Sequence, residues 1–271
     1  MKETAENKIT ISLGQMDVHL GKPDKNLAKV RELVEEASGR GSDLLLLPEL
    51  WSTGYDLEHS DKHASRIDEG IFAAASNLAR ETNMAILGSC LSLVGPDQYA
   101  NSAVLFDDNG VNLATYNKIH LFGSMDEPRY LIPGERLVTA ETKMGKVGLA
   151  ICYDLRFPEL FRAYALQEVS LVLMPAEWPK PRLSHWRILL MARAIENQQF
   201  IAACNRVGSS KGYTFFGHSM IIDPRGEIIA EGSEEEELIT GTIDLEQINS
   251  VQSKMPAFDD RRPDIYGLRS E

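Results

Sequence analysis

The sequence is short of cysteine, of long apolar stretches and of clustered positive charge, and each shortage excludes something. Its 271 residues hold three cysteines. Cys90, Cys152 and Cys204 are odd in number and widely spaced, which fits neither a disulfide framework nor a zinc pattern, so each reads as a free thiol. The longest apolar stretches, such as residues 43–48 and 170–175, are far too short to cross a bilayer. No lysine or arginine block interrupts a formal net charge of -12, so the electrostatic footprint that binds phosphate backbones is missing and nucleic acid is excluded as a partner. GxGxxG and Walker A patterns are absent as well, which argues against dinucleotide and ATP chemistry.

What is present is globular: 43% hydrophobic and 25% charged residues, enough for one domain with a substantial core. The N-terminal MKETAENKITISLGQ carries charges where a secretory leader needs an apolar core, which makes the cytosol the expected compartment. Along the chain, strand-length apolar runs alternate with stripes of helical period, the pattern of an α/β fold. Residues 9–15 read as a strand, 24–37 as a helix with Leu27, Val30, Leu33 and Val34 on one face, and DLLLLPEL as a fully buried strand. A helix over 67–82 and the strands MAILGSCLSLV and NSAVLFD follow. The order strand, helix, strand, helix, strand, strand then recurs in KVGLAIC, PELFRAYALQE, SLVLMPA, PRLSHWRILLMARAIENQ, FIAACNRV and GHSMIIDPRGEII, so the chain is expected to be internally duplicated. Residues 116–136 have no clear period and read as a long, functional loop. The single domain spans 1–271, with 246–271 as a C-terminal arm, and the acidic run 234–237 reads as a solvated turn.

Cys152 ends an apolar run and precedes YDLRFPEL, whose Pro158 suits the first turn of a helix. A strand-to-helix corner of this kind exposes a nucleophile at a sheet edge beside free backbone N–H groups. Taken alone, a strand-end cysteine is more often inert, and that reading stands for Cys90 and Cys204. Glu49 follows DLLLLP at another strand end, where a poorly hydrated carboxylate is a better proton acceptor. Lys118, in TYNKIHLF, closes an alternating strand just before the long loop.

In order and spacing, LPEL, NKIHLF and GLAICYDLRFPEL resemble the Glu, Lys and Cys motifs of the nitrilase superfamily, over residues 10 to about 266. The stretches AEWPKPRLSHWRILLMARAIENQQFIAACNRVG and MPAFDDRRPDIYG further resemble the branch of omega-amidases and methionine-salvage amidases. The resemblance implies a four-layer α-β-β-α sandwich with pseudo-two-fold duplication, usually assembled as a homodimer or higher homo-oligomer. It implies hydrolysis of a small amide, an omega-amide of a dicarboxylate first, with N-carbamoyl amino acids, aliphatic amides and nitriles open, and no metal or organic cofactor. Glu49 is then the general base, and Cys152 carries the acyl group as a thioester. Lys118 favours the thiolate and, with the Tyr153 N–H, holds the oxyanion. Glu127 matches the family's second Glu, with Glu135 as fallback.

Weaker signals complete the reading. His120, two residues after Lys118, is expected on the same face and in a supporting hydrogen-bond role; a Cys-His hydrolase would need it as the base. Trp178 lies at a sheet edge where family sites contact substrate, and Arg156, Arg182 and Arg187 are candidate partners for a substrate carboxylate. His59 and His63 share the spacing of metal-binding helices, but HSDKH lacks the glutamate of HExxH and reads as a solvated face. His185 reads as a structural histidine.

Overall fold

In β1 (Lys8–Gln15), Ile11 and Leu13 point to one face and Gly14 to the other, where an added Cβ would press on Leu47, Leu33 and Leu45. Such alternation repeats through the sheets and builds the layers. The computed structural model describes residues 8–266; the charged stretch 1–7 and the end of the expected arm, 267–271, lie outside the described residues. Next come α1 (Pro23–Gly39), β2 (Leu44–Leu46), α2 (Ser60–His63), α3 (Gly70–Thr82), β3 (Ala85–Gly95), β4 (Gln98–Phe106), β5 (Asn112–Asn117) and α4 (Glu127–Tyr130). The second half holds β6 (Thr139–Thr142), β7 (Gly145–Leu149), α5 (Pro158–Leu166), β8 (Leu171–Ala176), α6 (Leu183–Asn197), β9 (Phe200–Asn205), β10 (Val207–Ser210), β11 (Tyr213–Phe216), β12 (Met220–Ile222), β13 (Ile228–Glu231) and β14 (Glu237–Asp244). Helices α7 (Glu246–Lys254) and α8 (Pro263–Tyr266) follow.

Two 6-stranded sheets result, ordered β14-β1-β2-β3-β4-β5 and β13-β12-β9-β8-β7-β6. In the first, β1, β2 and β3 are parallel and β14, β4 and β5 antiparallel. In the second, β7, β8 and β9 are parallel and β6, β12 and β13 antiparallel. The pairing patterns match strand for strand, with α1 and α5 as the corresponding first crossovers, so the expected duplication is present in the topology. Ile11, Leu46, Leu87 and Leu105 of one sheet meet Leu149, Leu173, Ala202 and Ile221 of the other in a shared core. Leu45 and Leu47, one residue out of phase, face the outer helices and pack with Val30, Leu33, Phe72 and Leu78. This is the four-layer α-β-β-α sandwich. Removing one of these side chains, as in Leu46→Ala, costs roughly 2–5 kcal/mol.

Several boundaries differ from the sequence reading, for local reasons. The strand in DLLLLPEL stops at Leu46: the Leu47 N–H still donates to Leu87 O at 2.7 Å, but Pro48 has no N–H to give and the Glu49 N–H turns to Ala176 O. GHSMIIDPRGEII is a hairpin, since the chain reverses between Ile222 and Ile228 through Pro224 and Gly226, where φ is +87. The loop 116–136 begins with the last residues of β5 and contains the 3₁₀ turn Gly123–Met125 and helix α4; elements this short leave no periodicity to read. The hairpin β10-β11 carried no strong signal and was not foreseen. Helix α7 buries none of its residues fully, and the segment after it touches the body where Gln198 Nε2 donates to Met255 O at 2.8 Å.

Candidate active site

Cys152, expected at a corner, opens the 3₁₀ turn Cys152–Arg156 after β7 ends at Leu149. Its φ of +45 is left-handed, a conformation that costs a residue with a Cβ about 1–2 kcal/mol. Asp154 pins the turn. Its buried carboxylate accepts hydrogen bonds from the Ile151 N–H at 2.8 Å, the Tyr116 hydroxyl at 2.6 Å and the His120 N–H at 3.1 Å.

Glu49 sits beyond β2, completely buried. Lys118 follows the last residue of β5, and its N–H donates to Asn101 O at 2.9 Å. Its carbonyl accepts from the Gly134 N–H at 2.9 Å, an approach that needs glycine because a Cβ there would stand 2.1 Å from Asn117 O. The loop thus returns against Lys118 and delivers Glu127. The Lys118 ammonium donates to Glu49 Oε1 at 2.7 Å and to Glu127 Oε1 at 2.8 Å, with all three side chains fully buried. Asn101 Nδ2 donates to Glu49 Oε1 at 2.8 Å. The Tyr55 hydroxyl lies 3.0 Å from Glu49 Oε1 and 2.9 Å from Glu127 Oε1, and gives its one hydrogen to either carboxylate. Glu127 Oε2 also accepts from the Phe122 N–H, while Glu135 is exposed and outside the cluster.

The electrostatics follow from burying two acids around one base. Burial alone would discharge Lys118, but Glu127 and then Glu49 outweigh it and hold the ammonium well above the usual lysine range. Burial raises the Glu127 carboxyl, with Lys118 pulling against it. Burial and then the Glu49 charge push the Cys152 thiol well above its usual value. Lys118 does favour the thiolate, as expected, but is outweighed. Cys152 is therefore held as a thiol, with the charge of Glu49 bearing on it.

A further buried acid was not foreseen. Glu177, just beyond β8, stands where Glu49 stands beyond β2. Its N–H donates to Glu49 Oε2 at 2.9 Å, and its carboxylate meets the fully buried Arg206 at 3.2 Å, which also holds Asp17 at 2.7 Å. Burial, against the pull of Arg206, pushes the Glu177 carboxyl up to about 8. The signal was in the sequence, where MPAEW echoes LPEL across the duplication. Tyr55, Asn101 and Asp154 carried no comparable mark.

Cys152 opens onto a narrow cleft with Phe122, Tyr153, Arg156, Trp178 and Arg182 on its walls. Its free volume of about 20 Å³ is room for little more than one water. A larger surface groove by Arg66, Asn77 and Leu93 has none of the buried acids on its walls. Of the expected binding residues, Tyr153, Trp178, Arg156 and Arg182 line the cleft and His120 does not. His120 leaves the strand direction after Asn117, bonds Asp154 Oδ1 through Nδ1 at 2.7 Å and stacks on Phe157 at 3.6 Å. Arg187 is held by Glu231, its Nε 2.9 Å away. Among the described residues neither Arg156 nor Arg182 has a carboxylate partner; Arg156 lies 5.0 Å from the Trp178 ring and 3.4 Å from His185 Nδ1. The buried Trp178 indole N–H has no partner among the described residues. Cys90 and Cys204 are buried in β3 and β9, and burial pushes the Cys90 thiol up to about 12. His59 is exposed on the solvated face, whereas His63 is largely buried, and both imidazoles turn onto Asp56.

A buried acid near a strained cysteine, with an ammonium between two carboxylates, is an arrangement suited to acyl transfer. The carbon-nitrogen hydrolase family matches residues 10–253, and the chain belongs to it. It is 40% identical over 259 residues to the 2-oxoglutaramate amidase of Bacillus subtilis (strain 168), covering 96% of this chain and 100% of that one. A CN-hydrolase superfamily protein of Xanthomonas campestris, solved with an arsenic adduct in its active site, superposes with a TM-score of 0.88 at 32% identity, over 94% of this chain and 97% of that one. A mutant amidase of Nesterenkonia sp. AN1, solved with the acetamide moiety of fluoroacetamide bound covalently to its active-site cysteine, gives 0.85 at 29% identity, over 97% of each chain. The chain is a carbon-nitrogen hydrolase with a cysteine nucleophile.

Proposed function

We propose that the chain hydrolyses the omega-amide of a small dicarboxylate, of the 2-oxoglutaramate kind, acting in the cytoplasm as a homodimer built from one domain with the arm 246–271. One observation carries the substrate class: Arg156 and Arg182 line the cleft beside Cys152 with no carboxylate of their own among the described residues. Two guanidinium groups in a confined cleft match a substrate carboxylate. The likeness to the Bacillus amidase points the same way.

Glu49 takes the thiol proton as Cys152 Sγ attacks the amide carbon. The oxyanion forms against the Lys118 ammonium and the Tyr153 N–H. The leaving nitrogen takes the proton from Glu49 and departs as ammonia, leaving a thioester. Water, deprotonated by Glu49, then adds to that carbonyl, and its collapse releases the carboxylic acid and returns the thiol. Glu127 keeps Lys118 charged and, with Tyr55, fixes the line of Glu49. Trp178 offers its unpartnered indole N–H to the substrate, and His120 supports the Cys152 turn through Asp154.

The test is ammonia release across omega-amides of dicarboxylates, N-carbamoyl amino acids, aliphatic amides and nitriles, with Cys152→Ala as control. The highest kcat/KM is expected for a dicarboxylate omega-amide, with no activity in the control. A preference for carbamoyl compounds or nitriles would overturn the substrate class, and activity in Cys152→Ala would overturn the mechanism.

A further inference from the structure

The turn that follows Tyr55 gathers two imidazoles onto one carboxylate. His63 Nε2 lies 2.8 Å from Asp56 Oδ2, and His59 Nδ1 lies 3.0 Å from Asp56 Oδ1. The three donor atoms all fall within 4.8 Å of one another. Asp56 and His63 are largely buried, their side chains 15% and 12% exposed, whereas His59 is 50% exposed. The frame beneath them is fixed by the buried Leu57, whose carbonyl accepts from Ser60 Oγ at 2.7 Å. It is closed on one side by Gly21, where a Cβ would stand 2.5 Å from Asp56 Oδ2.

We infer that Asp56, His59 and His63 form a binding site for a first-row divalent cation, with Zn²⁺ the fitting ion. Two imidazole nitrogens and one carboxylate oxygen are the donor set such an ion takes, whereas Mg²⁺ and Ca²⁺ call for oxygen throughout. At metal–ligand lengths of about 2.0–2.2 Å, tetrahedral donors stand roughly 3.3 Å apart. The separation of His63 Nε2 from Asp56 Oδ2, 2.8 Å, is already close to that spacing. His59, the exposed member, meets the other carboxylate oxygen, Oδ1, at 3.0 Å and completes the set by rotating toward that pair, the three donors lying within 4.8 Å of one another. The fourth position faces solvent and takes water. On binding, each imidazole lone pair goes to the metal, and a proton held on the ligating nitrogen moves to the other ring nitrogen or leaves to solvent.

The site is separate from the cleft but adjoins it through the chain. Asp56 follows directly on Tyr55, whose hydroxyl lies against Glu49 and Glu127. A bound cation therefore pins the turn that carries Tyr55. The inference does not depend on the substrate of the cleft.

Equilibrium dialysis against micromolar ZnCl₂ at neutral pH tests it, using Cys152→Ala protein so that the cleft thiol cannot bind the ion. One bound equivalent is expected, with affinity reduced about tenfold or more in His59→Ala or His63→Ala and unchanged in His185→Ala. Zinc should also slow amide hydrogen exchange over residues 55–60 and raise Tm, on the order of 5 °C at a hundredfold excess over Kd. Co²⁺ in the same protein should give a visible absorption band without a thiolate charge-transfer band, a readout that needs no histidine variant to fold. Failure to bind Zn²⁺, undiminished binding in the His59→Ala, His63→Ala double variant, or a silent Co²⁺ spectrum would each overturn the site.

Discussion

The Glu177 N–H donates to Glu49 Oε2 at 2.9 Å, so the acid beyond β8 orients the acid beyond β2 across the pseudo-dyad. The Glu177 carboxyl itself sits with Arg206 rather than with the thiol. One half of the duplication thus supplies the acid that pairs with Lys118 and the other half its support.

This relationship sets a pH dependence. Burial lifts the Glu177 carboxyl from 4.5 to about 8. Between those values the folded chain holds a proton that the unfolded chain has released, so stability falls as pH rises through the window and levels off above about 8. Glu177→Gln cannot release that proton. Urea unfolding of wild type and Glu177→Gln across the window should show wild-type stability declining relative to the variant as pH increases; parallel curves would refute the assignment.

Lys118→Met removes the cation between two buried acids and, with it, the proposed oxyanion donor. A fall in kcat of roughly a hundredfold to a thousandfold is expected, together with a lower unfolding midpoint, because Glu49 and Glu127 are left buried without their counter-charge. His120→Ala, which removes contacts to Asp154 and Phe157 but none to the buried acids of the Lys118 cluster, should retain more activity than Lys118→Met. The reverse order in steady-state kinetics would favour a Cys-His mechanism.

Tyr55→Phe deletes one hydrogen bond to the carboxylate pair, worth about 1–3 kcal/mol in a buried site. The expected result is a kcat reduced roughly tenfold to a hundredfold with KM little changed, since Tyr55 does not line the cleft. An effect confined to KM would instead place Tyr55 against the substrate.

Arg156→Ala and Arg182→Ala should each raise KM for a dicarboxylate omega-amide by about tenfold or more, the worth of one charge-assisted hydrogen bond to the substrate carboxylate. For an uncharged aliphatic amide the same variants should be close to wild type. Equal increases on both substrates would show that the arginines shape the cleft rather than read a carboxylate.

Ile188 and Ile195 lie two turns apart on α6 and are 64% and 51% exposed, a pair of large apolar side chains suited to an interface. Sedimentation of wild type should give a dimer, and Ile188→Asp should shift it toward monomer. A monomeric wild type would remove the dimer.

The sequence by itself determined the class of fold, the duplication and the reaction. Apolar runs that switch period, repeated in the same order, are local properties, and Glu49, Lys118 and Cys152 each follow a strand whose run could be read. Glu127 was marked by its motif, and the cleft positions of Trp178, Arg156 and Arg182 by their place after β7 or β8. Only the tertiary structure decided which side chains meet. Tyr55, Asn101 and Asp154 are ordinary polar residues in sequence, and their roles come from packing that buries carboxylates among particular hydrogen-bond partners; Glu177 was marked only by the echo of LPEL in MPAEW, and its contact with Glu49 is a product of the fold. It also decided the resting state of Cys152, because the balance between Lys118 and Glu49 depends on burial and distance, which no spacing along the chain encodes. The same holds for His120, which a two-residue alternation placed beside Lys118 and which the bend after β5 turned onto Asp154.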